Sequence, residues 1–495
     1  MSNQGEAPEI LPELSKSATR LKREKLERVP WDHSGRHPGS PFFTRLLNVM
    51  FEFGNRFIFR KSENDKLPST EGGVIYVSTH INGLVDPMVI TRVQDKRVIS
   101  LGRHDLMTRP IIGWWARKFG SQPVLRRAEV EAGIVDAEFA KMINQRGMLT
   151  VSSCLAAGHS AVVMPEGKSH QDSRLHALRT GSPRSALAAA GIAFQRNQSP
   201  PVIQTVGLHW RTHYLVRTDC YVEFGPTIQV PQTYDLASRE LLCSGTWVEP
   251  SKEATISLRD EIFDKLSPLT PEASDWETYR AWKLIANMQA NKAGKPIKKL
   301  SEEIHETRKV RERLGEVDTP LLESAKDAAD ILNDNNLYSN AIGPNNLLKG
   351  ASSTELLRGL FGLIMMLCSS LVAIPANIIQ TTLAWILASS SDEGLDSRTT
   401  YFMLAGLFSP ILFWWIPILV FITTTSDGII TFGDFLNPIA AFLLIYISSI
   451  VFVYGYDLWT DFITSLRRRK LSKSPTGQRL NNLLKSIDLQ LVALK

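Results

Sequence analysis

The stretch Gly73-Val74-Ile75-Tyr76-Val77-Ser78-Thr79-His80-Ile81-Asn82-Gly83-Leu84-Val85-Asp86-Pro87 decides how this chain is read. It opens on an apolar run of strand length, rich in β-branched and aromatic residues. His80 follows that run, and Asp86 lies one short turn further on. A histidine delivered by a strand end beside a carboxylate suits general-base activation of a hydroxyl. The carboxylate accepts from one ring nitrogen and fixes the tautomer, and the other nitrogen is left to take a proton. The same residues also read as a helix start, with Asp86 as N-cap and Pro87 at the first helical position. A carboxylate has enough lone pairs to serve both purposes.

Three more blocks follow in order. Phe119-Gly120-Ser121-Gln122-Pro123-Val124-Leu125-Arg126-Arg127 comes after a segment carrying Arg103, Arg109, Arg117 and Lys118. Ser160-Ala161-Val162-Val163-Met164-Pro165-Glu166-Gly167-Lys168-Ser169-His170 reads as a buried strand running into a polar turn. Pro201 to Leu208 and Tyr221 to Ile228 complete the set.

Taken together, residues 40 to about 230 resemble the phospholipid and glycerol acyltransferase (PlsC-like) family. The closer likeness is to its glycerol-3-phosphate and dihydroxyacetone-phosphate branch. The usual family motif is His, four residues, Asp; five residues separate His80 from Asp86, and the branch's His-x-Asn-x-x-x-Asp-Pro form is matched by His80, Asn82, Asp86 and Pro87. The arginine block falls on Gly120, Pro123 and Arg126, the Pro-Glu-Gly-x-Ser block on Pro165, Glu166, Gly167 and Ser169, and a basic-x-Gly element on Arg179 and Gly181. The resemblance implies His80 and Asp86 as catalytic residues. It implies Arg126, Arg127, Glu166, Gly167, Ser169 and Arg179 as substrate-binding ones. Physical chemistry gives each a task. His80 deprotonates a glycerol hydroxyl that attacks an acyl thioester. Forked guanidinium groups suit a phosphate. For Arg126 and Arg127 the alternative is a solvated basic face.

Other candidates are weaker. Gly158-His159-Ser160-Ala161-Val162 lacks the second glycine of a serine-hydrolase elbow and precedes its strand. Cys154, Cys220, Cys243 and Cys368 are far apart, as expected for buried free thiols in a reducing compartment. His209 and His213 stand at a spacing that suits zinc on a helix, but the surrounding pattern is strand-like. They are read as ordinary polar residues, and no metal site or redox cofactor is expected.

A chain of 495 residues with a net charge of +6 has room for two to four domain-sized units, and no nucleic-acid partner is expected. Residues 1–38 read as a disordered polar leader without a signal core, 39–235 as the catalytic domain, and 236–350 as a charged helical connector. Within the domain, residues 41 to 60 form an amphipathic stretch that suits a membrane-surface helix or one packed on the core. Residues 351–466 form a membrane region and 467–495 a basic tail. Uncharged runs at 402–423 and 437–456 are each long enough to span a bilayer. The run at 359–388, interrupted by Pro375, Asn377 and Gln380, is expected as a re-entrant or interfacial segment. Arg467 to Lys470 place the C-terminus in the cytoplasm by the positive-inside tendency.

The expected fold is therefore α/β. A glycerol-phosphate acyltransferase domain, a mixed sheet flanked by helices, is followed by a helical connector and a C-terminal transmembrane helical hairpin. The expected activity is acyl transfer from acyl-CoA or acyl-ACP to a glycerol-phosphate hydroxyl at the bilayer, on the cytoplasmic face of a bacterial inner membrane or of the endoplasmic reticulum. The rivals are acylation of 1-acylglycerol-3-phosphate and an inactive membrane scaffold.

Overall fold

The computed structural model describes residues 14, 18–212, 216–316, 319–350, 352–391, 394–395, 398–425 and 432–493. Among them seven strands form one mixed sheet: β1 (Phe59–Asn64), β2 (Val74–Ser78), β3 (Val98–Arg103), β4 (Gln122–Val124), β5 (Ser160–Val163), β6 (Val202–Trp210) and β7 (Thr218–Gln229). Their order is β1-β7-β6-β2-β5-β3-β4. The five strands from β6 to β4 run parallel, and β7 turns back antiparallel on β6. β2 lies at the centre and is buried on both faces, which explains its unbroken apolar run. Parallel strands bring all their C-terminal ends to one edge of the sheet, where ligands of open α/β sheets bind.

Register fixes which loops meet there. Val77 pairs with Val163, so His80 and Glu166 each stand three residues past the same rung. Helices Ala137–Ala156 and Gly181–Gln195 cover one face. Their alanines, with Leu149, Leu155, Leu187 and Ile192, pack on Ile75, Ala161 and Ile203. This core does not end near residue 235, because Leu242, Leu258, Ile262 and Leu266 from the next two helices belong to it. Helix Pro41–Ile58 is the amphipathic segment; Met50, Phe51 and Ile58 pack on Val85 and Met88, while Phe42 and Val49 stay exposed.

Three expectations about the flanks are corrected. The described part of the leader is packed: Leu26 seals against Leu125, Val135 and Phe139, and the Val98 carbonyl contacts His37 Nε2 at 3.0 Å. Residues 1–13 and 15–17 lie outside the described residues. The connector is no exposed linker, since helix Leu300–Leu314 buries Leu300, Glu303, Ile304, Thr307 and Val310 on one side. The basic tail is likewise a helix, Pro475–Ala493, whose Leu480, Leu484, Ile487 and Leu491 pack with Leu322, Ala325 and Leu332.

Between residues 352 and 472 the helices differ from those expected. The run at 402–423 is broken into helices Arg398–Leu412 and Trp415–Thr425, and Met403 and Leu407 pack into the catalytic domain. The run at 359–388 is instead one continuous helix, Ser353–Ser389. Together with Asn437–Ser472 it is long and apolar enough to cross a membrane. The polar residues that looked like interruptions are its joints. Asn377 donates to the Ala373 carbonyl and to Ser449 Oγ, both at 2.8 Å, and Gln380 donates to Asn377 Oδ1 at 2.8 Å. In lipid, where apolar helices have no hydrophobic drive to associate, such hydrogen bonds and small residues hold helices together. Gly362 lies so close to Gly455 that a Cβ would stand 2.6 Å from its carbonyl. The two helices are antiparallel, and Glu355 pairs with Arg468 at their outer ends. The sheet domain lies beside them, through Arg217 to Asp457, Arg60 to Asp461 and Arg56 to Tyr446.

Candidate active site

Thr79 and His80 leave the end of β2, and the chain turns through Ile81 to Leu84 before helix Val85–Val93. Gly83 has φ +51°, a conformation that glycine adopts without strain. Asp86 lies in the first turn of that helix and is not its N-cap, which is Leu84. Its carboxylate folds back over the loop instead. Oδ2 contacts His80 Nδ1 at 3.0 Å and accepts the amides of Ile81 and Asn82 at 2.7 Å each. Asp86 is fully buried, while the His80 side chain keeps 19% of its surface open. A carboxylate at Nδ1 places the ring proton there and leaves Nε2 as the basic nitrogen.

Glu166 ties a second strand end to the first. Its Oε2 accepts from the His80 amide at 2.9 Å and from Thr79 Oγ1 at 3.1 Å. Its Oε1 contacts His170 Nε2 at 2.8 Å and accepts the His176 amide at 2.9 Å. Both oxygens of this buried group are thus engaged within the protein, and neither faces solvent as a hydroxyl receptor would. Gly167, at φ +80°, makes the turn that aims Glu166 backward. Ser169 is half-buried on the same loop. Arg179 donates its amide to the Pro165 carbonyl at 2.7 Å, and its side chain runs beside Gly167. Burial first, and the adjacent His170 ring second, hold the His176 imidazole below its ordinary pKa, so it is neutral at pH 7.

The two arginines of the second block part company. Arg126 is mostly buried at the end of β4, and its guanidinium meets buried Glu129 at 2.6 Å. Arg127 lies 82% exposed against Glu131, which is the solvated-face reading. β4 is three strands from β2, about 14 Å at ~4.8 Å per strand. Arg103, at the end of β3 and one strand nearer, is held by Asp105 at 3.0 Å.

Sequence reasoning did not assign roles to Thr79, Arg103, His170 or His176, because the strand register that gathers them is invisible in one segment. It also missed a contribution from far along the chain. Thr400 Oγ1 accepts the Leu84 amide at 3.1 Å, and Thr399 Oγ1 lies 3.4 Å from Asn82 Oδ1, so helix Arg398–Leu412 abuts the catalytic loop. Of the other candidates, His209 is buried against Glu223 at 2.8 Å, and His213 falls outside the described residues. Ser160 opens β5 and is buried. Cys154 and Cys220 are buried; burial pushes the Cys154 thiol up to about 12. Cys243 is half-buried and Cys368 is exposed, so the buried-thiol expectation holds for two of the four.

A family model described as acyltransferase matches residues 58–208. The chain carries an acyltransferase domain. The match runs from the residue before β1 into β6 and takes in the site residues from Thr79 to Arg179, but not Thr399 and Thr400. The crystal structure of the 1-acyl-sn-glycerophosphate (LPA) acyltransferase, PlsC, from Thermotoga maritima is similar at 13% identity over 44% of this chain and 77% of that one. Its TM-score is 0.28, too low for the likeness to bear on site or substrate. A comparison with curated proteins finds no match.

Proposed function

We propose that this protein is a membrane-bound acyltransferase of phospholipid biosynthesis, moving an acyl group from acyl-CoA or acyl-ACP to a hydroxyl of glycerol-3-phosphate or dihydroxyacetone phosphate. The observation that carries the reading is the 3.0 Å contact between His80 Nδ1 and the buried Asp86 carboxylate, at the sheet edge where the acyltransferase blocks converge. His80 Nε2 takes the proton of the attacking hydroxyl as its oxygen bonds to the thioester carbonyl carbon. Asp86 stabilises the imidazolium that forms. Collapse of the tetrahedral intermediate breaks the C–S bond, and the imidazolium returns the proton to the departing thiolate. Glu166 holds the His80 backbone so that the ring keeps its aim. Arg103 and Arg126, beside the C-terminal ends of β3 and β4, and Arg179, beside Gly167, are the cations assigned to a phosphate. Arg127 is given no role.

Membrane attachment is assigned to the helix pair Ser353–Ser389 and Asn437–Ser472. Leu360, Ile364, Leu367, Leu371 and Trp385 on the first, and Ile439, Leu443 and Ile447 on the second, face outward. Burial of each such side chain in lipid is worth about 1.5–3 kcal/mol. A second reading, with 1-acylglycerol-3-phosphate as acceptor, is supported by the contact of the largely apolar helix Arg398–Leu412 with the catalytic loop, beside which the acceptor's own acyl chain would pack.

A panel of labelled acceptors with long-chain acyl-CoA tests the proposal. Membranes holding the protein are expected to acylate glycerol-3-phosphate or dihydroxyacetone phosphate in preference to lysophosphatidate. Acylation of lysophosphatidate alone would select the second reading, and transfer to none of them would remove the first.

A further inference from the structure

The loop that leaves β5 carries a group the acyl-transfer chemistry does not use. His170, Asp172 and His176 fall within seven residues, and one ligand atom from each lies within 4.8 Å of the others. The two imidazoles are buried and nearly in contact, with ring centroids 4.0 Å apart, an arrangement that a solvated surface loop has no reason to build.

The hydrogen bonds around His170 fix its tautomer. The Asp172 amide donates to Nδ1 at 3.1 Å, so Nδ1 carries the lone pair, and an ion bound there takes the place of that amide. Nε2 therefore carries the proton and donates it to buried Glu166 at 2.8 Å. A carboxylate behind the far nitrogen of an imidazole is the outer shell of a histidine metal ligand. On the other side, His176 Nε2 meets Asp172 Oδ2 at 2.7 Å, and its Nδ1 is buried with no hydrogen-bond partner among the described residues. Two ligands of a tetrahedral ion with ~2.0 Å bonds stand about 3.3 Å apart. Opening 2.7 Å to that distance is a small movement of Asp172, whose side chain is 67% exposed. That exposure also gives an ion its entry path and water its fourth position.

We infer that His170, Asp172 and His176 form a binding site for a divalent transition-metal ion of the zinc class, which staples the loop that carries Glu166. Two imidazoles and one carboxylate select zinc-like ions over magnesium or calcium, which take oxygen donors. The ion acts at a distance from the substrate: it fixes His170, His170 fixes Glu166, and Glu166 fixes the His80 backbone. This revises the expectation that the chain holds no metal. It does not depend on which acceptor is used.

The test uses untagged full-length protein in detergent, stripped with a chelator and titrated with Zn2+ against a chromophoric competitor, and in parallel with Co2+. Wild type is expected to bind one equivalent of Zn2+, to give the intense visible bands of tetrahedral Co2+, and to melt at a higher temperature with Zn2+ than without. Asp172→Ala removes the partner of His176 Nε2 and should lower the metal-free melting temperature somewhat, so the readout is the rise that Zn2+ adds, which it should abolish. It should weaken Zn2+ by about 10- to 100-fold or more, the range for losing even an outer-shell partner, and His176→Gln should do the same. His305→Ala, remote from the loop, should leave binding unchanged. Failure of stripped wild type to take up a stoichiometric ion would overturn the site, and so would full affinity in Asp172→Ala. Because binding and melting are read without turnover, the result stands apart from the proposed activity.

Discussion

Asp86 serves the loop and the base through one oxygen, with two backbone amides and His80 Nδ1 converging on Oδ2. Asp86→Asn can turn its amide oxygen to all three, but it loses the charge that stabilises an imidazolium and buries an NH2 group where Oδ1 has no partner among the described residues. It should therefore lower kcat and also destabilise the fold by about 1–3 kcal/mol, the range for a compromised buried hydrogen-bond site; steady-state rates beside denaturant unfolding separate the two effects. A change in neither would deny both roles. At the phosphate end, Arg126→Ala should mainly raise the acceptor KM, and Arg126→Lys should restore it only in part, because a lysine cannot reproduce the fork. Unchanged acceptor kinetics in both variants would leave Arg126 as the structural partner of Glu129. The pairing of His80 with Asp86 was legible because six residues of one turn hold it together. The engagement of Glu166 was not, since it rests on a rung of sheet register between segments more than eighty residues apart.

Among the elements, the sharpest departure from the sequence reading is helix Leu300–Leu314. Its many charges mark exposure in a single sequence, yet Arg308 reaches back to grip Glu223 on β7 with both nitrogens, at 2.8 and 2.7 Å. Burial alone would raise the Glu223 pKa, but the bonds from Arg308 and His209 overcome it and hold the carboxyl down at about 2. A depressed carboxyl stabilises the fold above its ordinary pKa near 4.5 and loses that contribution as pH falls toward 2. Arg308→Leu leaves Glu223 buried and without its main cation, so unfolding at pH 7 should cost about 3–5 kcal/mol less. The deficit should shrink as the pH falls from 4.5 to 2. An equal deficit at both ends of that range would mean that Arg308 acts by packing alone. The Gly362 and Gly455 contact shows the same limit of sequence reading: glycines in an apolar run look like weak helix positions, and only the partner helix reveals why no side chain fits.

For the whole molecule, the sheet, its strand blocks and two apolar helices were recoverable from residue pattern, whereas the assignment of the helices was not. Length and charge favoured 402–423 as a span. The structure instead seats part of that run on the catalytic domain and pairs Ser353–Ser389 with the last long helix. Because the pair is antiparallel and Glu355 meets Arg468, a bilayer crossed by both helices, as proposed, would have the segments before and after them on one side. Single cysteines at positions 20 and 480 in a cysteine-free background should both resist an impermeant thiol reagent in sealed cells. Opposite fates would break the pair. The central claim, that His80 is the base of an acyl transfer, is tested most directly by the rate of transfer from labelled acyl-CoA to glycerol-3-phosphate by purified His80→Ala beside wild type. The account predicts a fall of about 10²-fold or more with an unchanged unfolding transition, and a near-normal rate in a folded His80→Ala protein would contradict it.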